Sequence, residues 1–153
     1  WHFVGSLQTN KVKLLLPEAP PRAGWVHTVD RLALAEELSS RGARRGLVLR
    51  VLLEVNVAGE VQKAGCPPDE LPALARAVSQ LPGLELRGLM CIPPAQGDPR
   101  PHFQALRALR DRLGLPDLSM GMSGDWEAAV EEGATLVRVG TSIFGPRPPR
   151  ASP

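Results

Sequence analysis

Residues 47–57 (LVLRVLLEVNV) run apolar almost without interruption instead of alternating apolar with polar. A strand wetted on one face alternates, whereas a parallel strand covered on both faces by helices reads this way. Further runs of the same kind occur at 1–7 (WHFVGSL), 25–29 (WVHTV), 84–92 (LELRGLMCI), 117–121 (DLSMG) and 135–140 (TLVRVG). Amphipathic stretches separate them. Asp30 is expected to cap a helix through about Ser40 that Gly42 ends. Leu71, Leu74, Ala75, Val78 and Leu81 follow Pro67, Pro68 and Asp69 as one apolar stripe, and Phe103, Leu106, Leu109 and Leu113 form another. A helix over 124–132 is expected to turn Trp126, Ala129 and Val130 inward and to stop at Gly133.

Strict alternation of β and α elements gives a parallel sheet, either open and doubly wound or closed as a barrel. A complete (β/α)8 barrel takes about 250 residues, so a chain of 153 holds five or six of its units. Six candidate strands match that number. The chain opens at Trp1, inside an apparent strand, which carries the expectation that about two N-terminal βα units precede it. Residues 1–145 then read as the C-terminal portion of a barrel, and the Pro-rich tail 146–153 as extended or disordered.

Composition narrows the classes further. A net charge of +2 is too small to argue for nucleic acid, and Arg41, Arg44 and Arg45 read as a solvated helix end. No apolar run is long enough to span a membrane, and the N-terminus lacks the pattern of a signal peptide, so the cytoplasm is the expected compartment. Cys66 and Cys91 show neither a CxxC spacing nor a nearby His at metal spacing, so neither a disulfide nor a zinc site is expected.

In a barrel, chemistry sits where strands end and βα loops begin, and phosphate is often held by the loops after the last two strands. Here the penultimate strand leads into Ser119-Met120-Gly121-Met122-Ser123-Gly124, and the last into Arg138-Val139-Gly140-Thr141-Ser142. Glycine lets the backbone approach an anion, N–H groups at a helix start point toward it, and hydroxyls add donors, so Ser123, Gly140 and Thr141 are candidate phosphate ligands. The same residue types also cap ordinary helices. Two such loops on adjacent strand ends shift the balance toward an anion site. Arg138 stands on the same face as Gly140 and, within an apolar strand, needs a partner: a structural carboxylate or a ligand's ring nitrogen. Asn56 and Lys63 fall in a strand end running into a Gly-bounded polar loop, facing the barrel mouth, although Lys63 taken by itself reads more readily as a solvated loop lysine.

The blocks W-H-F-V-G-S-L-Q-T-N-K, E-V-N-V-A-G-E-V-Q-K-A-G, R-G-L-M-C-I, L-S-M-G-M-S-G-D-W-E-A-A-V and V-R-V-G-T-S-I-F-G span Trp1 to Gly145 in this order. Together they resemble the YggS/PROSC family of pyridoxal 5'-phosphate (PLP) homeostasis proteins. The resemblance implies a TIM-type barrel of PLP fold type III, similar to the N-terminal domain of alanine racemase. It implies that Ser123, Gly140 and Thr141, in a block that includes Met122, hold the PLP phosphate. By the same resemblance Arg138 faces the pyridine nitrogen, and Asn56, Lys63 and Met90 line the ring side. His2 and Asn10 belong to the opening block without an assigned role. The family's Schiff-base lysine lies near the end of a first strand in a segment outside this sequence, and Lys11, Lys13 and Lys63 sit in other motifs.

The implied function is binding, buffering and transfer of PLP without dedicated catalysis. Its partners would be PLP and PLP-requiring apo-enzymes, with neither nucleic acid nor membrane, and the protein would be a monomer or weak dimer. The runner-up is a PLP-dependent racemase-like enzyme. Against it stands the absence of any Tyr, the residue type that serves as the second acid/base in alanine racemase. A phosphosugar-type barrel enzyme would use the same anion loops, and only the family blocks argue against it.

Overall fold

The computed structural model describes residues 1–17 and 22–146. Six parallel strands form one sheet in the order of the chain: β1 (His2–Phe3), β2 (Trp25–Val29), β3 (Leu49–Glu54), β4 (Leu84–Met90), β5 (Asp117–Met122) and β6 (Leu136–Arg138). Helices α1 (Val12–Leu15), α2 (Leu32–Ala43), α3 (Leu71–Ser79), α4 (Arg100–Leu113), α5 (Trp126–Glu131) and α6 (Thr141–Phe144) follow the strands in turn.

The central apolar runs form strands because they bury one face under helices and the other inside the curl of the sheet, whereas the edge strands β1 and β6 hold no fully buried residue. Val51, Leu53 and Val55 join Leu34, Leu38, Leu71, Val78, Phe103 and Leu106 in one core between sheet and helices. Both predicted stripes are seated there: Leu71, Ala75 and Val78 of α3, and Phe103 and Leu106 of α4, are buried. On the concave face, His27 of β2 reaches Ser119 of β5, 92 positions away and three strands across. Only a strongly curled sheet brings those strands together. At the N-terminal ends of β3, β4 and β5 the concave side is polar: Arg87 donates to Asp117 at 2.9 Å and to Glu85 at 3.2 Å, and Arg50 meets Glu85 at 3.3 Å.

Several local expectations need correction. The N-cap of α2 is Arg31, without a side-chain bond, because the Asp30 carboxylate is taken by the Arg31 guanidinium at 2.6 Å. Gly42 does not end α2, which runs on to Ala43; Gly42 is buried against the start of β3. In α5 only Ala129 is buried, while Trp126 and Val130 are exposed, since a helix of six residues offers a single position to the sheet. Strands are shorter than the apolar runs. β1 pairs on one side only, and β6 keeps three residues before the chain turns into α6. Of the expected disordered tail, residues 147–153 lie outside the described residues.

Candidate functional site

The C-terminal strand ends carry the functional groups. β5 continues through Met122, so Ser119 is a buried strand residue, and the loop proper is only Ser123–Asp125. Asp125 fixes that turn by accepting the Met122 N–H at 2.6 Å. Across from it the chain leaves β6 and enters α6 at Gly140. The Ser123 hydroxyl oxygen accepts the Gly140 N–H at 3.2 Å and the Ser142 N–H at 3.3 Å, which ties the two loops together. These are long, weak bonds, and both donors are exposed, so an anion with stronger acceptor oxygens competes well for them.

Met122, Ser123, Arg138, Gly140 and Thr141 all line one cleft of about 520 Å³ between these loops. That volume lies within the roughly 300–1,000 Å³ typical of small-molecule sites. The cleft shares Met122 and Gly124 with a second recess of about 470 Å³, which also includes Lys63 and Pro93. Lys63 and Ile92 in turn border a third, of about 290 Å³, lined by Thr28, Glu54 and Asn56. The three form a continuous trough over the strand ends.

Lys63 crosses this trough engaged at its tip: the ammonium donates to the Pro93 carbonyl at 3.0 Å and pairs with Glu60 at 2.5 Å. Asn56 closes its own loop, donating to the Glu60 carbonyl at 2.8 Å and accepting the Glu60 N–H at 3.2 Å. Met90 is fully buried at the end of β4 and lies beneath the trough rather than on its surface.

Arg138 has neither of the partners considered from sequence as its hydrogen-bond acceptor within the fold. Its guanidinium donates to the Ser119 hydroxyl and to the Cys91 carbonyl, each at 2.9 Å. Both acceptors are neutral, so a largely buried cation retains its charge toward the cleft that it lines; burial pushes its pKa down. Glu54, on the same concave side, is pushed up to about 7 by burial and by the Asp30 charge, against the pull of Arg138.

Behind Arg138 lie His27, which the sequence did not single out, and Ser119 and His2, to which it gave no individual role. His27 Nδ1 meets Ser119 Oγ at 2.9 Å, and His27 Nε2 meets His2 Nδ1 at 2.8 Å. His27 is held neutral, its pKa lowered to about 4 by burial first and then by the His2 and Arg138 charges. The signal available was a polar residue inside an otherwise apolar strand, His27 in WVHTV and Ser119 in DLSMG. Ser119 was hidden because it falls both in the strand run 117–121 and at the start of the Gly/Ser loop, where a serine reads as part of the turn.

Residues 15–148 match the family described as alanine racemase, N-terminal domain. The chain is 49% identical over 152 residues to a pyridoxal phosphate homeostasis protein of Pseudomonas aeruginosa, covering 96% of this chain and 64% of that one. A protein of the same name from Aquifex aeolicus is 47% identical over 156 residues, covering 96% and 67%. The chain thus spans about two thirds of the length of these relatives. Among solved structures, PipY of Synechococcus elongatus with PLP bound superposes with a TM-score of 0.85 at 37% identity, covering 95% of this chain and 70% of that one. An alanine racemase of Clostridium difficile, at 13% identity and a TM-score of 0.73, shares the fold.

Proposed function

The chain belongs to the alanine racemase N-terminal domain family, and on that footing we propose that it binds PLP in the cleft between the β5 and β6 loops and serves PLP homeostasis by binding, buffering and transferring the cofactor. The observation that carries this reading is the convergence of Ser123, Gly140, Thr141 and Arg138 on one cleft. The donor set fits the group: hydroxyls and exposed N–H groups suit a phosphate, and a guanidinium with neutral partners suits an aromatic nitrogen acceptor. The curled sheet then corresponds to six strands of an eight-stranded barrel of PLP fold type III.

In this assignment Ser123, Gly140 and Thr141 grip the phosphate, with Met122 against its edge. Arg138 donates to the pyridine nitrogen. Lys63 and Asn56 shape the ring side through the loop that they brace, and Met90 backs that side from below. When bound, PLP supplies an electrophilic aldehyde and an electron-accepting ring. Arg138 opposes protonation of the ring nitrogen and so weakens the ring as an electron sink, which favours storage over carbanion chemistry. The racemase-like alternative has one observation in its favour: Glu54, a buried carboxyl titrating near neutrality in the recess that Lys63 also lines.

Parallel titrations with PLP and with pyridoxal test the proposal. PLP is expected to bind at least about tenfold more tightly, because charge-assisted bonds to phosphate are the stronger kind. Equal affinity for the two would reject the phosphate assignment.

A further inference from the structure

Arg138 is the last member of a chain of side chains, buried at its middle two members, that crosses the concave face from β1 to β6. The order is His2, His27, Ser119 and Arg138, joined at 2.8, 2.9 and 2.9 Å, and Arg138 is anchored again on the Cys91 carbonyl at 2.9 Å. β1 and β2 are neighbours, as are β5 and β6, but β2 and β5 are separated by two strands, and the chain closes between them only because the sheet curls. We propose that Ser119 and His27 are positioning residues for Arg138: they fix the guanidinium so that its unengaged N–H groups meet the ring nitrogen of a phosphorylated pyridine ligand.

The physical case rests on what each group can do. A Ser hydroxyl has one donor and two acceptor lone pairs, so Ser119 can accept from Arg138 and still share a bond with His27. A neutral imidazole offers one N–H and one lone pair, so both faces of His27 are spoken for, by Ser119 on one side and His2 on the other. His2 is itself held by Trp25, whose ring stacks on it at 5.0 Å and 10°. Ser119 and His27 are both buried, 0% and 2% exposed, so water does not compete for these bonds. Burial also keeps His27 neutral, which spares Arg138 a second cation one hydroxyl away. A long arginine side chain with a free head samples many rotamers; one bound at two points presents a fixed fork. Neither Ser119 nor His27 lines the cleft, so both act through Arg138 and not by contact.

The inference rests on the assignment of Arg138 to the ring nitrogen, and its test therefore has one arm with ligand and one without. The probes are PLP, pyridoxal, and the PLP analogue in which C–H replaces the ring nitrogen. The full chain is expected to prefer PLP over that analogue by about tenfold or more, as one hydrogen bond from a charged donor allows. In Ser119→Ala and in His27→Leu this preference should fall to about twofold or less, while the preference for PLP over pyridoxal stays unchanged, because the phosphate loops do not touch either residue. Ser119→Thr, which keeps the hydroxyl, should retain the full preference. Without ligand, the Arg138 guanidinium hydrogens should give separate NMR signals in the parent chain and in Ser119→Thr, and averaged ones in Ser119→Ala and His27→Leu. Should His27→Leu fail to fold, Ser119→Ala decides. The inference is overturned by either of two results: folded Ser119→Ala with the ring-nitrogen preference intact, or Arg138 signals unchanged by the substitution. Loss of the PLP-over-pyridoxal preference in the parent chain would instead reject the phosphate site, and the ligand-free arm would still decide the role of Ser119 and His27.

Discussion

Glu54 is a carboxyl at 7% exposure on the concave face, where it holds its proton up to about pH 7 instead of the ordinary 4.5. Burial of the carboxyl therefore costs nothing below pH 4.5, where folded and unfolded forms are both protonated. The cost grows from there and is complete above pH 7, where the unfolded chain is ionised in water and the folded one is ionised in a poor solvent. Glu54→Gln removes this effect: the two proteins should differ by under about 0.5 kcal/mol at pH 4.5, and the variant should be more stable by about 1–3 kcal/mol at pH 8. Urea unfolding at the two pH values measures it, and His27, present in both proteins, cancels from the difference. A variant less stable at pH 8 would show that the carboxylate is held by bonds rather than penalised. At the phosphate cleft, Thr141→Val should cost PLP about 1–3 kcal/mol of affinity by removing a hydroxyl donor while leaving the N–H, and pyridoxal should be indifferent. Equal losses for both ligands in a titration would count against that placement. Arg138 was legible in the sequence because a cation within an apolar strand demands a partner. The identity of that partner was not legible, since Ser119 meets Arg138 only once β5 and β6 pair, and the Cys91 carbonyl is reached only across β5.

Among the elements, the unit from β5 through the Ser123–Asp125 turn to α5 shows how closely local geometry sets the site. Gly121 adopts φ +90°, and a Cβ there would lie 2.5 Å from the Ala129 Cβ and 3.1 Å from the Trp126 Cα. The missing side chain lets α5 settle directly on the strand end and aims Ser123 at Gly140. Gly121→Ala should lower stability by about 2–3 kcal/mol, through backbone strain and overpacking together, and should weaken PLP binding as the turn shifts. Denaturant unfolding and a PLP titration check the two parts; a variant with unchanged stability would mean that α5 moves aside freely. The periodic stripes of α3 and α4 were readable because each long helix needs a continuous apolar face. α5 was misread because Trp126 and Val130 fit a stripe that a helix of six residues has no room to bury. Strand ends were overcalled for a related reason. Apolar composition continues past the last ladder bond, and pairing on the sheet edges stops sooner than hydrophobicity does.

At the scale of the whole molecule, one property organises the rest: the sheet is curled, with a polar network at the N-terminal strand ends and a ligand trough at the C-terminal ends. Alternating β and α segments pointed to a parallel sheet, and the Gly/Ser/Thr loops on the last two strands pointed to one mouth of it. The curl was not readable from periodicity, because open and closed parallel sheets share the same local pattern. It became visible only in contacts such as His27 with Ser119, which depend on the summed twist of the strands between them. A crystal structure of the full chain grown with PLP tests the central claim most directly. The phosphate is expected within hydrogen-bonding reach of Ser123 Oγ and of the Gly140 and Thr141 N–H groups, with the pyridine nitrogen against Arg138. PLP seated away from these loops, or bound there with its ring nitrogen turned from Arg138, would contradict the claim.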